Sequence, residues 1–137
     1  MESLVLQQGR PLSPLESSAA ALSGVQHPER IRVLSVPSIP MPGFAWQQRL
    51  AATLGFDGRL TAGMALHYAI FLRNDVDNDL SLIRHEATHT AQAERLGGLR
   101  TFLRIYLTDC LVHGYYDCPF EQEARSLAAA PGFSTGP

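Results

Sequence analysis

His85, Glu86 and His89 are the residues whose types and spacing carry chemistry most directly. They lie in Leu80–Gly97, where no Pro or Gly interrupts the chain from Val76 to Leu96, and Gly97 and Gly98 supply a stop. The stretch therefore reads as a helix. Residues four apart on a helix are separated by roughly 40° around the axis and about 6 Å along it. Two imidazoles at that spacing converge on one cation. Glu86 points to the side of the pair, where a carboxylate can take a proton from water without being a ligand. Metal-assisted hydrolysis needs this division: neutral nitrogens for the ion and a free carboxylate for the proton.

A catalytic zinc has three protein ligands and one open position. The candidates downstream of the motif are His113, Asp117, Glu121 and Glu123. Pro119 opens a last helix that is expected to run to about Ala130, with Phe120, Ala124, Leu127 and Ala128 as its apolar stripe. Helical geometry sets Glu121 about 60° from the centre of that stripe and Glu123 about 100° from it. Glu121 borders the core face, where a carboxylate needs a partner. Glu123 reads as solvated, and His113 as a surface residue near a helix C-terminus. The ligand set is therefore His85, His89 and Glu121, with zinc as the ion.

Other elements must hold these residues in place. Ser13-Pro14-Leu15-Glu16 is a capping-box start for a helix to about Leu22. Ile31–Val36 and Leu66–Arg73 alternate as strands do, the second with Leu66, Tyr68, Ile70 and Leu72 on one face. Pro37, Pro40 and Pro42 impose an extended loop, Ala45–Leu54 reads as a short helix, and Asp57-Gly58 as a turn. Asn74–Asp79 leads into the motif helix with Asn78 or Asp79 as its cap; it lacks the Gly and distal Glu of a calcium loop. Leu99–His113 shows apolar residues at every third and fourth position (Leu99, Phe102, Leu103, Tyr106, Leu107, Cys110, Leu111), which predicts a strongly buried face. Residues 1–12 and 131–137 read as loose tails around a single domain spanning 1–137.

Composition narrows the function. With 45% hydrophobic and 18% charged residues the chain is globular rather than disordered. A net charge of −2 leaves no basic footprint for nucleic acid. All 11 basic residues are Arg, which reads as genome composition bias. Cys110 and Cys118 are too few for a disulfide scaffold; they can pair, ligate a metal or stand as free buried thiols. The first residues show no signal peptide, and no segment is long and apolar enough to span a bilayer. A cytoplasmic protein without a membrane partner is the expectation. Oligomeric state is not legible.

His85-Glu86-x-x-His89 followed by Pro119-Phe120-Glu121-Gln122-Glu123-Ala124 resembles the gluzincins, zinc peptidases in which a downstream helix carries E-x-x-A. More narrowly, with Ile31-Arg32-Val33 and Gly63–Leu72 ahead of the motif and Gln92 three residues after it, the chain is similar to small bacterial H-E-x-x-H domains of unassigned substrate. The resemblance covers about residues 12–130. It implies an α+β, minimal zincin-like fold in which the motif helix packs against two C-terminal helices and a small sheet. It further implies a zinc metallopeptidase acting on a peptide or protein substrate, with His85, His89 and Glu121 as ligands and Glu86 as general base. Many gluzincins place an Asp four residues after the third ligand to orient the first His; here that position is Arg125, so another group must hold His85. Tyr115 and Tyr116 are the sequence-adjacent donors for a developing oxyanion, and equally readable as packing aromatics. The rival from another class is a non-catalytic zinc domain that keeps its metal for folding or binding. Glu86, which no structural site needs, favours the enzyme.

Overall fold

The computed structural model describes residues 2–39 and 62–130. Among them are five α-helices and a four-stranded mixed sheet, an α+β arrangement. The helices are α1 (Glu2–Gln8), α2 (Pro14–Leu22), α3 (Leu80–Arg95), α4 (Leu99–His113) and α5 (Pro119–Ala129). The strands are β1 (Arg10–Pro11), β2 (Arg32–Val36), β3 (Gly63–Leu66) and β4 (Ala69–Arg73), in spatial order β1-β2-β4-β3. Strand β2 runs parallel to β4, with Val33 opposite Ile70, while β1 and β3 pair antiparallel with their neighbours. The expected helix Ala45–Leu54, the turn Asp57-Gly58, Pro40, Pro42 and the tail 131–137 lie outside the described residues. No helix among the described residues is long and apolar enough to cross a membrane.

Strand periodicity builds two cores, one on each face of the sheet. Val33, Ile70 and Leu72 join Ala20 of α2 and Ile83, Ala87 and Ala91 of α3 on one face. Met64, Leu66, Ala69 and Phe71 join Val5 of α1 and Ile39 on the other. Because helices cover both faces, β4 reads as a continuous apolar run, buried from Ala69 to Leu72.

Three expectations need correction. Within the expected loose arm, the described residues 2–12 are ordered: α1 buries Val5 against the sheet, and β1 pairs with β2. Gly9 makes the junction possible, since a Cβ there would stand 2.5 Å from the Val5 carbonyl oxygen and 3.0 Å from that of Val33. Leu66–Arg73 is not one strand but the end of a hairpin, in which Leu66 pairs with Ala69 across His67 and Tyr68. His67 has φ 59, the left-handed conformation that such two-residue turns require and that Gly or Asn usually supplies. The Thr90 hydroxyl of α3 donates to the His67 carbonyl and ties the turn down. Leu66 consequently belongs to the opposite core from Tyr68, Ile70 and Leu72. Finally, α4 is less buried than its pattern predicts. Phe102 and Cys110 are buried, yet Leu107, Leu111 and Val112 are exposed.

The capping box of α2 forms as read: Glu16 N–H donates to Ser13 Oγ and Ser13 N–H to Glu16 Oε1. Helix α3 runs through the middle of the fold, buried without a break from Glu86 to Ala93. It packs on α5, α2, α4 and β3.

Candidate metal centre

Two elements deliver the site. Asp79 caps α3, its side chain accepting from Ser81 N–H at 2.9 Å and Leu82 N–H at 3.3 Å. One turn further on, His85 and His89 project from the same face, their ring centroids 5.2 Å apart. Pro119 starts α5, whose fixed φ suits a first helical position, and places Glu121 in the first turn, where the helix dipole favours a carboxylate. Glu121 is only 2% exposed. The helix edge expected to border the core is thus inside it, beneath α3.

The three side chains meet. His85 Nε2 lies 3.1 Å from Glu121 Oε1, and His89 Nε2 lies 3.2 Å from Glu121 Oε2. Ligand atoms of all three residues lie within 4.8 Å of one another, and no other such group of His, Cys, Asp or Glu occurs among the described residues. Tetrahedral zinc with arms of about 2.0–2.1 Å sets its ligand atoms about 3.3 Å apart. Both separations lie close to that edge but run to different oxygens of Glu121, so a small shift bringing one oxygen to both rings makes the residues fit a cation of this kind. Their donor set, two imidazoles and a carboxylate, suits zinc among other divalent transition metals.

Charge and burial are balanced here by pairing. Burial alone would raise Glu121, but hydrogen bonds from His85 and His89, aided by the Tyr106 hydroxyl, hold it well below the usual carboxylate range. Burial would lower His89, but the hydrogen bond and charge of Glu121 push it up to about 9. Glu86 is buried beside the pair and has its pKa raised, burial outweighing the attraction of His89 and His85. Its carboxylate packs on bare backbone: a Cβ on Gly63 would stand 3.0 Å from Glu86 Oε2. Gly63 and Ala65 face α3, as strand alternation demands once Met64 and Leu66 face away.

The remaining candidates separate. Tyr115 is partly buried, and its phenol is pushed up by burial and by the charges of Glu121 and Glu86, so it lies within their field. Tyr116 is 71% exposed, with the Arg125 guanidinium 4.0 Å over its ring and donating to its carbonyl; it stands away from the centre. His113 and Asp117 are exposed. Glu123 is not simply solvated: it accepts from Gln92 Nε2 at 2.9 Å and from Arg95 at 2.8 Å. Cys110 and Cys118 are free and buried, and burial pushes the Cys110 thiol up to about 12.

Sequence reasoning missed two residues. Tyr106, read as part of an apolar stripe, donates its hydroxyl to Glu121 Oε2. Its signal was a phenol on a buried row that otherwise holds Phe102 and Cys110, since a buried hydroxyl needs an acceptor. Gln92, read only as part of the motif, accepts at Oε1 from His89 Nδ1 at 2.8 Å. Its signal was the three-residue spacing from His89, which makes the two side chains neighbours on a helix. Comparison with protein-family models, with curated proteins and with solved structures found no match to this chain.

Proposed function

We propose that this chain is a zinc-dependent peptidase of the gluzincin type. One observation supports the reading above all. Two histidine nitrogens stand 3.1 and 3.2 Å from the oxygens of one buried glutamate, with a second buried carboxylate, Glu86, beside them. A binding or folding site needs the first three groups and has no use for the fourth.

His85, His89 and Glu121 would hold the cation. When bound, zinc supplies a Lewis acid that makes water nucleophilic near neutral pH. Glu86 accepts the proton of the attacking water at its carboxylate and passes it to the leaving amine nitrogen. Its raised pKa suits that exchange, because a base works best when its pKa approaches the operating pH. Tyr115 is the candidate donor to the developing oxyanion. A peptide in extended form would lie along β3. Among the described residues that strand ends the sheet, whereas β4 is enclosed between β2 and β3 and offers no edge.

The substitution Glu86→Gln tests the reading. It keeps the side chain's size and leaves the three ligands in place. Zinc content and fold should persist, while cleavage of a broad peptide library falls by about a hundredfold or more. Unchanged cleavage would remove Glu86 from its role. A wild-type chain that holds zinc and cleaves nothing would favour the non-catalytic reading.

A further inference from the structure

We infer that Gln92 is a positioning residue for the metal centre, an amide that fixes His89 and links it to the charge of Glu123. The inference rests on the metal-binding reading of His85, His89 and Glu121.

Gln92 is fully buried on α3, three residues after His89. A buried amide without partners costs free energy that an apolar side chain of the same size would not. Here both ends are occupied. Oε1 lies 2.8 Å from His89 Nδ1, and Nε2 donates to the Phe120 carbonyl at 3.0 Å and to Glu123 Oε1 at 2.9 Å. The network fixes which end is which. A flipped amide would press its oxygen against two acceptor oxygens, so Oε1 must face the histidine. An acceptor at Nδ1 requires Nδ1 to carry the proton. In the neutral imidazole that a cation requires, Nε2 is then the nitrogen left without a proton, and it is the one that faces Glu121.

The chain continues outward. Glu123 Oε1 also takes a hydrogen bond from Arg95 of α3 at 2.8 Å. One α5 residue is thus clamped by two α3 residues, and Phe120 adds a backbone acceptor. Glu121 lies between Phe120 and Glu123, so the clamp also sets the position of the third ligand. Gluzincins commonly use a carboxylate four residues after the third ligand; that position is Arg125 here, turned toward Tyr116. Gln92 with Glu123 supplies an acceptor for the second ligand histidine, His89, and not for His85, which that carboxylate orients.

The test measures Zn(II) affinity by competition with a chromophoric chelator, and the visible spectrum of the Co(II)-substituted chain. Gln92→Met keeps an unbranched side chain and removes both ends of the amide. Loss of such an outer partner weakens metal binding by about 10–100-fold, and the cobalt bands should shift with the freed imidazole. The pair Gln92→Glu with Glu123→Gln reverses the amide–carboxylate bond and keeps an acceptor at His89 Nδ1 while the Phe120 carbonyl loses its donor, so it should bind zinc more tightly than Gln92→Met and shift the cobalt bands less. Glu123→Ala removes an exposed side chain, so it keeps the inference testable should Gln92→Met fail to fold. It should weaken zinc several-fold, in the lower part of that range. Folded Gln92→Met with wild-type affinity and spectrum overturns the inference and leaves the metal site standing, as does unchanged affinity in Glu123→Ala where Gln92→Met does not fold. A wild-type chain that takes up no metal overturns the site itself, and Gln92's role with it. A purely structural Gln92 would lower the urea midpoint of the chelator-treated chain and leave the cobalt spectrum unmoved.

Discussion

Replacing Gly63 by Ala places one methyl group against the Glu86 carboxylate. The new Cβ would lie 3.0 Å from Oε2, 3.1 Å from Cγ and 3.2 Å from Cδ of Glu86. All three are tighter than ordinary van der Waals contact, so Glu86 must give by a few tenths of an ångström. It has nowhere easy to go, because it is 4% exposed and enclosed by α3 and the sheet. Overpacking of this kind costs about 1–3 kcal/mol. The loss of glycine's freedom in the unfolded chain returns about 0.4–1 kcal/mol. The net expectation is destabilisation by about 0–2.6 kcal/mol, read as a lower urea midpoint of the chelator-treated chain. A double-mutant cycle isolates the cause. In the Glu86→Ala background the three crowded atoms are gone, so Gly63→Ala should become neutral or slightly stabilising. The coupling should be about 1–3 kcal/mol. Equal effects of Gly63→Ala in both backgrounds would refute the reasoning, since Gly63 would then be required for something other than the close approach of Glu86.

Two further outcomes follow from the same geometry. Tyr106→Phe removes one donor from the buried Glu121 carboxylate; hydrogen bonds to charged groups are worth about 1.5–3 kcal/mol, and urea unfolding of the metal-free chain should show a loss of that size. Glu16→Gln keeps the capping box but removes the charge paired with Arg10 at 2.7 Å. Burial would raise Glu16, but Arg10 and Ser13 hold it below the ordinary carboxylate value. Its contribution is therefore complete above the unfolded-chain pKa and is lost as pH falls through the folded one. Arg10 is exposed, so solvent screening limits the difference to about 0.5–1 kcal/mol at pH 7. The stabilities of the two proteins should converge as pH falls below the ordinary carboxylate range.

Local chemistry was legible wherever it acts within a few residues. Ser13 and Glu16 announce their capping box and Pro119 the start of α5, and both form as read; of the two cap candidates Asn78 and Asp79, the structure uses Asp79. Helical spacing likewise put His85 and His89 on one face. Longer-range facts were less visible. The hairpin turn at His67 lacks the Gly or Asn that marks such turns, and Thr90, 23 positions later, holds it. Helix α1 is stabilised by burying Val5 under a sheet whose strands come later in the chain, so its local sequence shows little. The α4 pattern overstated burial because spacing cannot tell a row facing the core from a row beside it; Phe102 and Cys110 face in, Leu107 and Leu111 out. At the site, periodicity reached Glu121 only as an edge residue. Its partner Tyr106, and the bonds of Gln92 to Phe120 and Glu123, depend on how α3, α4 and α5 cross, which no single-helix pattern contains.

Metal stoichiometry tests the central claim most directly. The chain is stripped with a chelator, offered excess Zn(II), desalted and measured by elemental analysis, beside His89→Ala and Glu121→Ala variants shown to be folded by circular dichroism. His85, His89 and Glu121 as the only ligands predict one zinc per wild-type chain and none retained in either variant, because two protein ligands do not complete such a site. A wild-type chain that retains no stoichiometric transition metal, or a Glu121→Ala chain that holds zinc as the wild type does, would contradict the account.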